Sequence, residues 1–202
     1  MKLYNVSISP NCKRARIVAA ELDIALDHVP LDFTQGDNRT ADYLSLNPLG
    51  KIPTLTDDSF ALWESGAVIW YLASQRPSAL IPQEPRAQAD LLRWMFFGSC
   101  HLDPNYTILV VERFLKARRA LPPDGHLTEH AERELARFIP VVEQQLSRRD
   151  YVTGSFGLGD VVLGCTLELS PLVRFDWSPY PNVRAWIERL QARPSWRSAA
   201  AS

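Results

Sequence analysis

Two stretches of the chain carry residue types whose spacing could do chemistry. The first, residues 47–71, contains two strand-like segments, a polar turn between them and the start of a helix predicted to be capped by Ser65. The positive end of that helix favours a carboxylate, and the side chain of Glu64 favours an ammonium group. Lys51 adds a cation, and the backbone beside Pro53 can pair with a peptide group as a strand edge does. Each residue alone also fits a capped helix with solvated charges, but the combination predicts a site for a zwitterionic peptide.

The second stretch is Ser9-Pro10-Asn11-Cys12, which follows a predicted strand and opens a helix. Thioredoxin-like proteins carry a Cys-x-x-Cys pair at this place. Here the hydroxyl of Ser9 replaces the first sulfur, so a dithiol mechanism within one chain is excluded. A hydroxyl and an amide at a helix N-terminus can stabilise a thiolate, since the same surroundings lower the pKa of a cysteine. The loop is therefore predicted to act on the thiol of a bound ligand. Cys12 itself is expected to be buried and inert, and the alternative is that Cys12 is a reactive thiol.

The overall composition is that of an ordinary globular protein. The chain has 202 residues, of which 46% are hydrophobic and 22% charged, enough for two small cores. Lys and Arg number 22 against 23 Asp and Glu, so no net basic field predicts binding to nucleic acid or to an anionic membrane. No apolar run approaches a membrane span, and the amino terminus enters a strand directly, which predicts a cytoplasmic protein.

The cysteines and histidines predict no metal site. The three cysteines are far apart and lack metal-ligand spacing, and none of the four histidines has a cysteine or carboxylate at a useful distance along the chain. The cysteines are therefore expected to be reduced thiols.

A proline-rich linker is predicted to divide the chain into two domains. Residues 1–76 have the pattern of strand, helix, strand, helix, two strands and helix, which is one α/β layer. The first helix of that layer is expected from about Cys12 to Leu22. Three prolines within residues 77–86 mark the linker, and residues 87–202 are predicted to be helical throughout.

Within the predicted helical domain, a few residues indicate where helices bend and begin. Pro104 is expected to kink a long helix that follows the linker, and Thr128 to cap the next one. At Gly157 a buried helix is predicted to begin, because the carboxylate of Asp160 can bond back to the Gly157 amide. The last helix is expected over residues 180–193.

The chain resembles the cytosolic glutathione transferases over essentially its whole length. The motifs that carry the resemblance are spread over both halves and are quite specific for that superfamily. They are the Ser9 loop, Asn47-Pro48-Leu49-Gly50-Lys51-Ile52-Pro53, Glu64-Ser65, the Asp160 cap, and Tyr180-Pro-Asn-Val-Arg-Ala-Trp before Ala192-Arg-Pro. The serine at the thiol loop is similar to that of the theta and phi classes, and the asparagine to that of the bacterial nu class. The resemblance implies an α/β thioredoxin-like N-terminal domain, an all-α C-terminal domain and a homodimer.

The resemblance also implies which residues bind glutathione, the co-substrate of that superfamily. Ser9 would face the glutathione sulfur, with Asn11 as a second polar contact. The residues implied to hold the rest of the tripeptide are Lys51 with Asn38 and Arg39 at the glycyl end, Ile52 beside a cis Pro53 on the cysteinyl backbone, and Glu64 with Ser65 at the γ-glutamyl end. Asp160 would serve folding. No metal is implied.

A pocket for a small electrophilic substrate is implied as well. Its walls would include Ser7, Ile8, Leu102, Tyr106 and Phe175. The sequence itself names no second substrate.

The implied function is that of an enzyme, a glutathione transferase with a role in detoxification. It would bind glutathione as a thiolate for attack on electrophiles or for reduction of peroxides or disulfides. One alternative is a non-catalytic member of the same fold, associated with transcription or translation. Such members tend to lose the residues that contact the thiol, whereas this chain retains Ser9, Asn11 and the Glu64-Ser65 pair. Another alternative is a glutathione-dependent isomerase or dehalogenase, which would use the same site with a different pocket.

Overall fold

A mixed four-stranded sheet forms the centre of the amino-terminal part of the chain. The computed structural model describes residues 1–201. The strands are β1 (Lys2–Asn5), β2 (Asp27–Pro30), β3 (Thr54–Asp57) and β4 (Phe60–Trp63). Their order is β2-β1-β3-β4, with β1 parallel to β2 and the other neighbouring pairs antiparallel. Leu3 and Leu55 lie opposite each other on β1 and β3, and both are buried, so the alternation of side chains along the strands fills the core.

Three helices connect and follow these strands. They are α1 (Pro10–Glu21), α2 (Ala41–Leu46) and α3 (Ser65–Ser74), with a 3-10 turn at Asp37–Arg39 before α2. The predicted order of strand, helix, strand, helix, two strands and helix is confirmed, and with it the thioredoxin-like fold of this part. Pro30 lies in the edge strand β2, where a missing N–H does least harm to the ladder.

Two predicted helix starts in this part differ from the structure. α1 begins at Pro10 and not at Cys12, because the Ser9 side chain accepts a hydrogen bond from the Cys12 amide and proline suits the first helical position. Ser65 is the first residue of α3 and not its cap. The capping position belongs to Glu64, whose φ of 70° turns the chain into the helix and whose side chain makes no capping hydrogen bond.

The carboxyl-terminal part of the chain is predominantly helical. Its helices are α4 (Pro85–Phe97), α5 (Asp103–Leu109), α6 (Lys116–Arg118), α7 (Gly125–Leu146), α8 (Leu158–Leu167), α9 (Ser170–Val173) and α10 (Pro181–Gln191). Residues 82–192 contain no strand, which confirms the predicted all-α fold of this part. A π-helical turn at Gly98–Leu102 precedes Pro104. Because a proline ring clashes with the carbonyl four residues earlier, the wider turn accommodates Pro104.

The predicted cap of α7 is wrong. The helix begins at Gly125, and its cap is Asp124, which accepts a hydrogen bond from the Leu127 amide at 3.1 Å. Thr128 cannot cap the helix, because it lies inside the first turn. Its hydroxyl instead donates a hydrogen bond to the Asp124 carbonyl.

The close contacts divide the chain into two compact units. One unit holds Met1–Ile81 together with the residues from Arg193 onward, and the other holds Pro82–Ala192. The division at Ile81 falls inside the range predicted for the linker. The prediction placed all of residues 87–202 in the helical domain, and Ser202 lies outside the described residues.

The last helix is predicted over residues 180–193, and the structure has a further helix, α11 (Pro194–Ala201), which packs on α1. Arg193 donates two hydrogen bonds to the carboxylate of Glu21, from Nε at 3.0 Å and from Nη2 at 2.9 Å. The Ala199 carbonyl also accepts a hydrogen bond from Arg16 Nε at 3.0 Å. These bonds to α1 explain why the last helix belongs to the amino-terminal unit.

Asp160 joins three segments of the helical unit. Its Oδ2 accepts a hydrogen bond from the Gly157 amide at 3.0 Å, which confirms the predicted bond at the start of α8. Its Oδ1 accepts from the Val152 amide at 3.0 Å and from Trp186 Nε1 at 2.9 Å. Burial raises the pKa of the Asp160 carboxyl to about 6, although the three donors oppose the shift.

We expect Asp160→Asn to lower the free energy of unfolding by about 1–3 kcal/mol at neutral pH. The new NH₂ group would face at least one of the N–H groups that donate to the Asp160 carboxylate in the wild type. Urea denaturation measures the change. The matched control is Asp27→Asn, at an exposed position on β2, which should alter stability by less than about 0.5 kcal/mol. Equal stability of Asp160→Asn and the wild type would show that these hydrogen bonds contribute little.

Candidate functional site

The amino-terminal ends of α1 and α3 meet in the first unit. Ser65 Oγ lies 3.4 Å from Asn11 Oδ1, although the two residues are 54 positions apart. The first amide groups of a helix lack partners within the helix and give its N-terminus a partial positive charge. We call Ser9, Asn11, Glu64 and Ser65 the helix-start site. Two helix N-termini converging at one place make this site suitable for a ligand with more than one negative group.

Ser9 caps α1 and keeps a hydrogen-bond donor. Its Oγ accepts a hydrogen bond from the Cys12 amide at 3.4 Å, and its side chain is half-buried. A hydroxyl that accepts from the helix and still has its own hydrogen can donate to a thiolate placed at the helix end.

Cys12 is the third residue of α1 and is completely buried, as predicted. Burial raises the pKa of the Cys12 thiol, while a backbone hydrogen bond at Val6, the Ser9 hydroxyl and the charge of Arg16 oppose the shift in that order. A neutral thiol without access to solvent is a poor nucleophile. The absence of reactivity at Cys12 stays a prediction.

Arg14 connects the two helix starts, and the sequence analysis missed it. Its Nη1 donates to Asn11 Oδ1 at 2.7 Å and to Ser65 Oγ at 3.0 Å. The side chain is 1% exposed. The available sequence signal was the spacing of three residues from Asn11, which places both side chains on the same face of a helix.

Glu64 has a strained backbone next to Ser65. Its φ of 70° and ψ of 115° lie outside the regions that a residue with a Cβ prefers, at a cost of about 1–3 kcal/mol. Its side chain is exposed. Strain of this kind is concentrated at ligand sites, and here it brings an exposed carboxylate beside the first turn of α3.

The loop before β3 is fixed by side chains beneath it. The Lys51 carbonyl accepts hydrogen bonds from Tyr43 Oη at 2.5 Å and from Asn47 Nδ2 at 2.8 Å. The Lys51 side chain is exposed, and the Ile52–Pro53 peptide is cis. Tyr43 was not singled out in the sequence. The loop therefore has a fixed backbone and a free ammonium group.

Asn38 and Arg39 have different surroundings. Asn38 is buried, and its Nδ2 donates to the Gly50 carbonyl at 2.8 Å, so this side chain supports the loop. Arg39 is exposed, and its Nη1 lies 3.2 Å from where a Cβ on Gly50 would stand. Gly50 has a φ of 61°, and the same Cβ would lie 2.8 Å from the Asn38 carbonyl oxygen. Both observations require glycine beside Lys51.

The predicted walls of an electrophile pocket belong to both compact units. In the first unit, Ser7 is exposed and Ile8 is 80% exposed. In the helical unit, Leu102 and Tyr106 are completely or almost completely buried, so they serve as core and do not present a surface. Helical periodicity cannot tell a core face from a pocket face, which explains this difference. Phe175 is half-buried, with its ring centroid 6.0 Å from that of Tyr106.

Neither a metal cluster nor a membrane span is found in the part of the chain that the structure describes. In residues 1–201, no three His, Cys, Asp or Glu side chains come together in a group that could hold a metal ion. Over the same range, none of the helices combines the length and the apolar character needed to cross a bilayer.

Comparison with known proteins finds family models and relatives for this chain. Residues 1–74 match the family described as "Glutathione S-transferase, N-terminal domain", and residues 104–194 match "Glutathione S-transferase, C-terminal domain". Glutathione S-transferase 3 of Zea mays is 33% identical over 209 residues, covering 100% of this chain and 94% of the relative. A solved glutathione S-transferase from Pseudomonas fluorescens is 31% identical, with a TM-score of 0.84 and 96% of each chain covered. A theta class glutathione S-transferase from Xanthomonas axonopodis pv. citri, solved with glutathione bound, is 27% identical, with a TM-score of 0.90 over 100% of this chain and 97% of the other. The chain belongs to the glutathione S-transferase family.

Proposed function

We propose that the protein is a glutathione transferase whose helix-start site binds and ionises the glutathione thiol. The observation that carries this proposal is the convergence of the α1 and α3 N-termini, with Ser65 Oγ 3.4 Å from Asn11 Oδ1. The relatives named as glutathione S-transferases, including one solved with glutathione bound, support it. Residues 1–76 form the proposed glutathione-binding domain.

Glutathione would lie across the site from the loop before β3 to the start of α3. The exposed ammonium of Lys51, the residue after Gly50, and the exposed Arg39 guanidinium, which lies near Gly50, suit the glycyl carboxylate. The backbone of Ile52, beside the cis peptide, would pair with the cysteinyl residue. At the other end, the carboxylate of Glu64 suits the γ-glutamyl ammonium, and Ser65 with the amides of α3 suits its carboxylate.

The reaction would begin when the glutathione thiol loses its proton to solvent. The Ser9 hydroxyl and the positive end of α1 favour the resulting thiolate. The sulfur then donates an electron pair to an electrophilic carbon, and the leaving group departs with the electrons of the bond that breaks. The electrophile would approach from the exposed loop at Ser7 and Ile8.

Ionisation alone gives a modest rate advantage. Lowering the thiol pKa from about 8.5 to about 6.5 raises the thiolate fraction at neutral pH from roughly 3% to roughly 75%. A less basic thiolate is also less nucleophilic, by about eightfold for a Brønsted coefficient of about 0.45, which leaves a net gain of about threefold. Larger effects must come from positioning of the sulfur.

We expect Ser9→Ala to raise the pKa of the bound thiol and to lower kcat/KM by more than about threefold, because it removes both a donor and a fixed position. Asn11→Ala should do so less, and Cys12→Ala hardly at all, since the Cys12 thiol is buried. Thiolate ultraviolet absorbance against pH, measured on each glutathione complex, gives the order. Loss of turnover in Cys12→Ala, together with an unchanged thiol pKa and kcat/KM in Ser9→Ala, would favour a cysteine mechanism through a mixed disulfide.

The γ-glutamyl contacts are tested through binding. Glu64→Ala and Ser65→Ala should each raise the dissociation constant for glutathione by about tenfold, the effect of losing one hydrogen bond to a charged group. Glu129→Ala, an exposed glutamate on α7, is the matched control and should bind normally. Calorimetry measures all three constants. Unchanged affinity in both site variants would remove the proposed ligand position, and failure of the wild type to bind glutathione would favour a non-catalytic member of the family.

We also propose that the protein is a homodimer. Phe60 and Trp63, on β4, are 48% and 36% exposed in the single chain. Large apolar side chains exposed on one strand are typical of a protein interface, and homodimers usually bury such patches against the same patch of a second copy.

A part in detoxification is carried over from the family as a proposal. Cytoplasmic location is carried over in the same way, and it is supported by the three cysteines, which form no disulfide within residues 1–201.

Sedimentation should show a dimer at micromolar concentration. Phe60→Glu should raise the dimer dissociation constant at least about tenfold, because a buried carboxylate without a partner is costly. Phe33→Glu is the control, since Phe33 is similarly exposed in the loop after β2 and should leave the dimer intact. A monomeric wild type would refute the proposed assembly.

A further inference from the structure

Arg14 is almost completely buried beside the helix-start site. Its Nη1 carries two hydrogens, and the structure gives each an acceptor: Asn11 Oδ1 at 2.7 Å and Ser65 Oγ at 3.0 Å. Ser65 Oγ in turn donates to the same Asn11 oxygen at 3.4 Å. The three side chains therefore form a closed triangle of hydrogen bonds between α1 and α3.

This triangle fixes the orientation of the Asn11 side chain. An amide has an acceptor oxygen and a donor nitrogen of nearly equal size, and only its partners determine which end is which. With two donors on one side, Oδ1 must face Arg14 and Ser65. The opposite end, Nδ2, carries two donor hydrogens and makes no hydrogen bond to another residue within 1–201. Asn11 is thus held with its donor end available.

We propose that Arg14 is a positioning residue, which orients the Asn11 amide so that Nδ2 donates to the glutathione sulfur and which ties that contact to Ser65 at the γ-glutamyl end. The inference rests on the proposed glutathione site. It gives Arg14 an indirect part in catalysis, since the guanidinium acts through Asn11. Capture of the γ-glutamyl carboxylate by Ser65 would then stabilise the same arrangement that holds the donor at the sulfur.

A guanidinium is suited to this task and an ammonium is not. The planar fork of arginine holds its hydrogens in fixed directions, and α1 buries the stem up to the site. A lysine at the same position would retain the charge on a flexible stem, with no fixed pair of hydrogens. Arg14→Lys therefore separates the orientation of Asn11 from the charge near the site.

The experiment measures the pKa of the bound glutathione thiol by thiolate ultraviolet absorbance in a double-mutant cycle. Arg14→Lys alone should raise this pKa by at least half of the rise caused by Asn11→Ala. In the Arg14→Lys background, Asn11→Ala should add less than half of its effect in the wild type. Equal effects of Asn11→Ala in both backgrounds would overturn the proposal, because Arg14 would then not act through Asn11.

Arg16→Lys is the matched control for the loss of a buried arginine. Arg16 lies two positions further along α1, is also buried, and donates to Asn5 Oδ1 at 3.1 Å and to the Ser7 carbonyl at 2.7 Å. Its replacement should lower stability in urea to a similar extent without shifting the thiol pKa. A thiol pKa shifted equally by Arg16→Lys would mean that general loosening of α1 explains the effect, and it would overturn the proposal.

A second variant keeps the test valid if Arg14→Lys does not fold. Asn11→Asp retains an acceptor for Arg14 but has no Nδ2 donor, so it should fold normally and raise the thiol pKa at least as much as Asn11→Ala. No rise in Asn11→Asp would overturn the inference. Glutathione binding with a Ser9→Ala effect, but without an Arg14 effect, would leave the proposed function in place, whereas a wild type that does not bind glutathione would refute the function itself.

Discussion

Burial of two guanidinium groups on α1 is the constraint around which the amino-terminal unit is arranged. Arg14 and Arg16 are 1% and 4% exposed, and a buried charge without hydrogen bonds is very costly. Arg16 draws its partners from the end of β1, from the loop that follows and from α11, while Arg14 draws them from the first turns of α1 and α3. Because each acceptor must stay in place, the two cations fix the segments that carry those acceptors. Arg14 contacts the helix-start site directly, through Asn11 and Ser65, whereas Arg16 holds α1 to β1 and α11.

Burial of the Cys12 thiol in α1 explains why the proposed reaction uses the thiol of a bound ligand. Cys12 lies in the first turn of the helix, where burial raises the pKa of its thiol. The residue at the helix end is Ser9, whose hydroxyl can stabilise a thiolate but cannot replace one. The helix N-terminus thus offers a favourable place for a sulfur that the protein does not supply. The strained backbone of Glu64 places a carboxylate near the same ends, so the site can recognise a ligand by its charges at some distance from the reactive atom.

Much of the fold could be predicted from the sequence, because it is encoded in local patterns. Strand alternation, helical periodicity and the bond from Asp160 to Gly157 depend on residues that are close along the chain, and the structure shows all of them. The importance of Arg14 depends on Ser65, 51 residues away, and local patterns carry no information on such a pair. The same limit applies to α11, whose partners on α1 are far removed in sequence. At Leu102, the pattern predicts a helix but cannot tell which neighbour covers it.

Because α11 packs on α1, the packing of the amino-terminal unit depends on a segment that is synthesised much later than α1. During synthesis, α1 leaves the ribosome well before Arg193, which pairs with Glu21. The amino-terminal unit therefore cannot complete its packing until α11 has been synthesised, and the pairing is a contact of very high sequence separation. A nascent or shortened chain that stops at Ala192 would contain residues 9–12 but would lack the Ala199 carbonyl, which accepts a hydrogen bond from Arg16. A protease that removed α11 would likewise take this acceptor from Arg16 on α1.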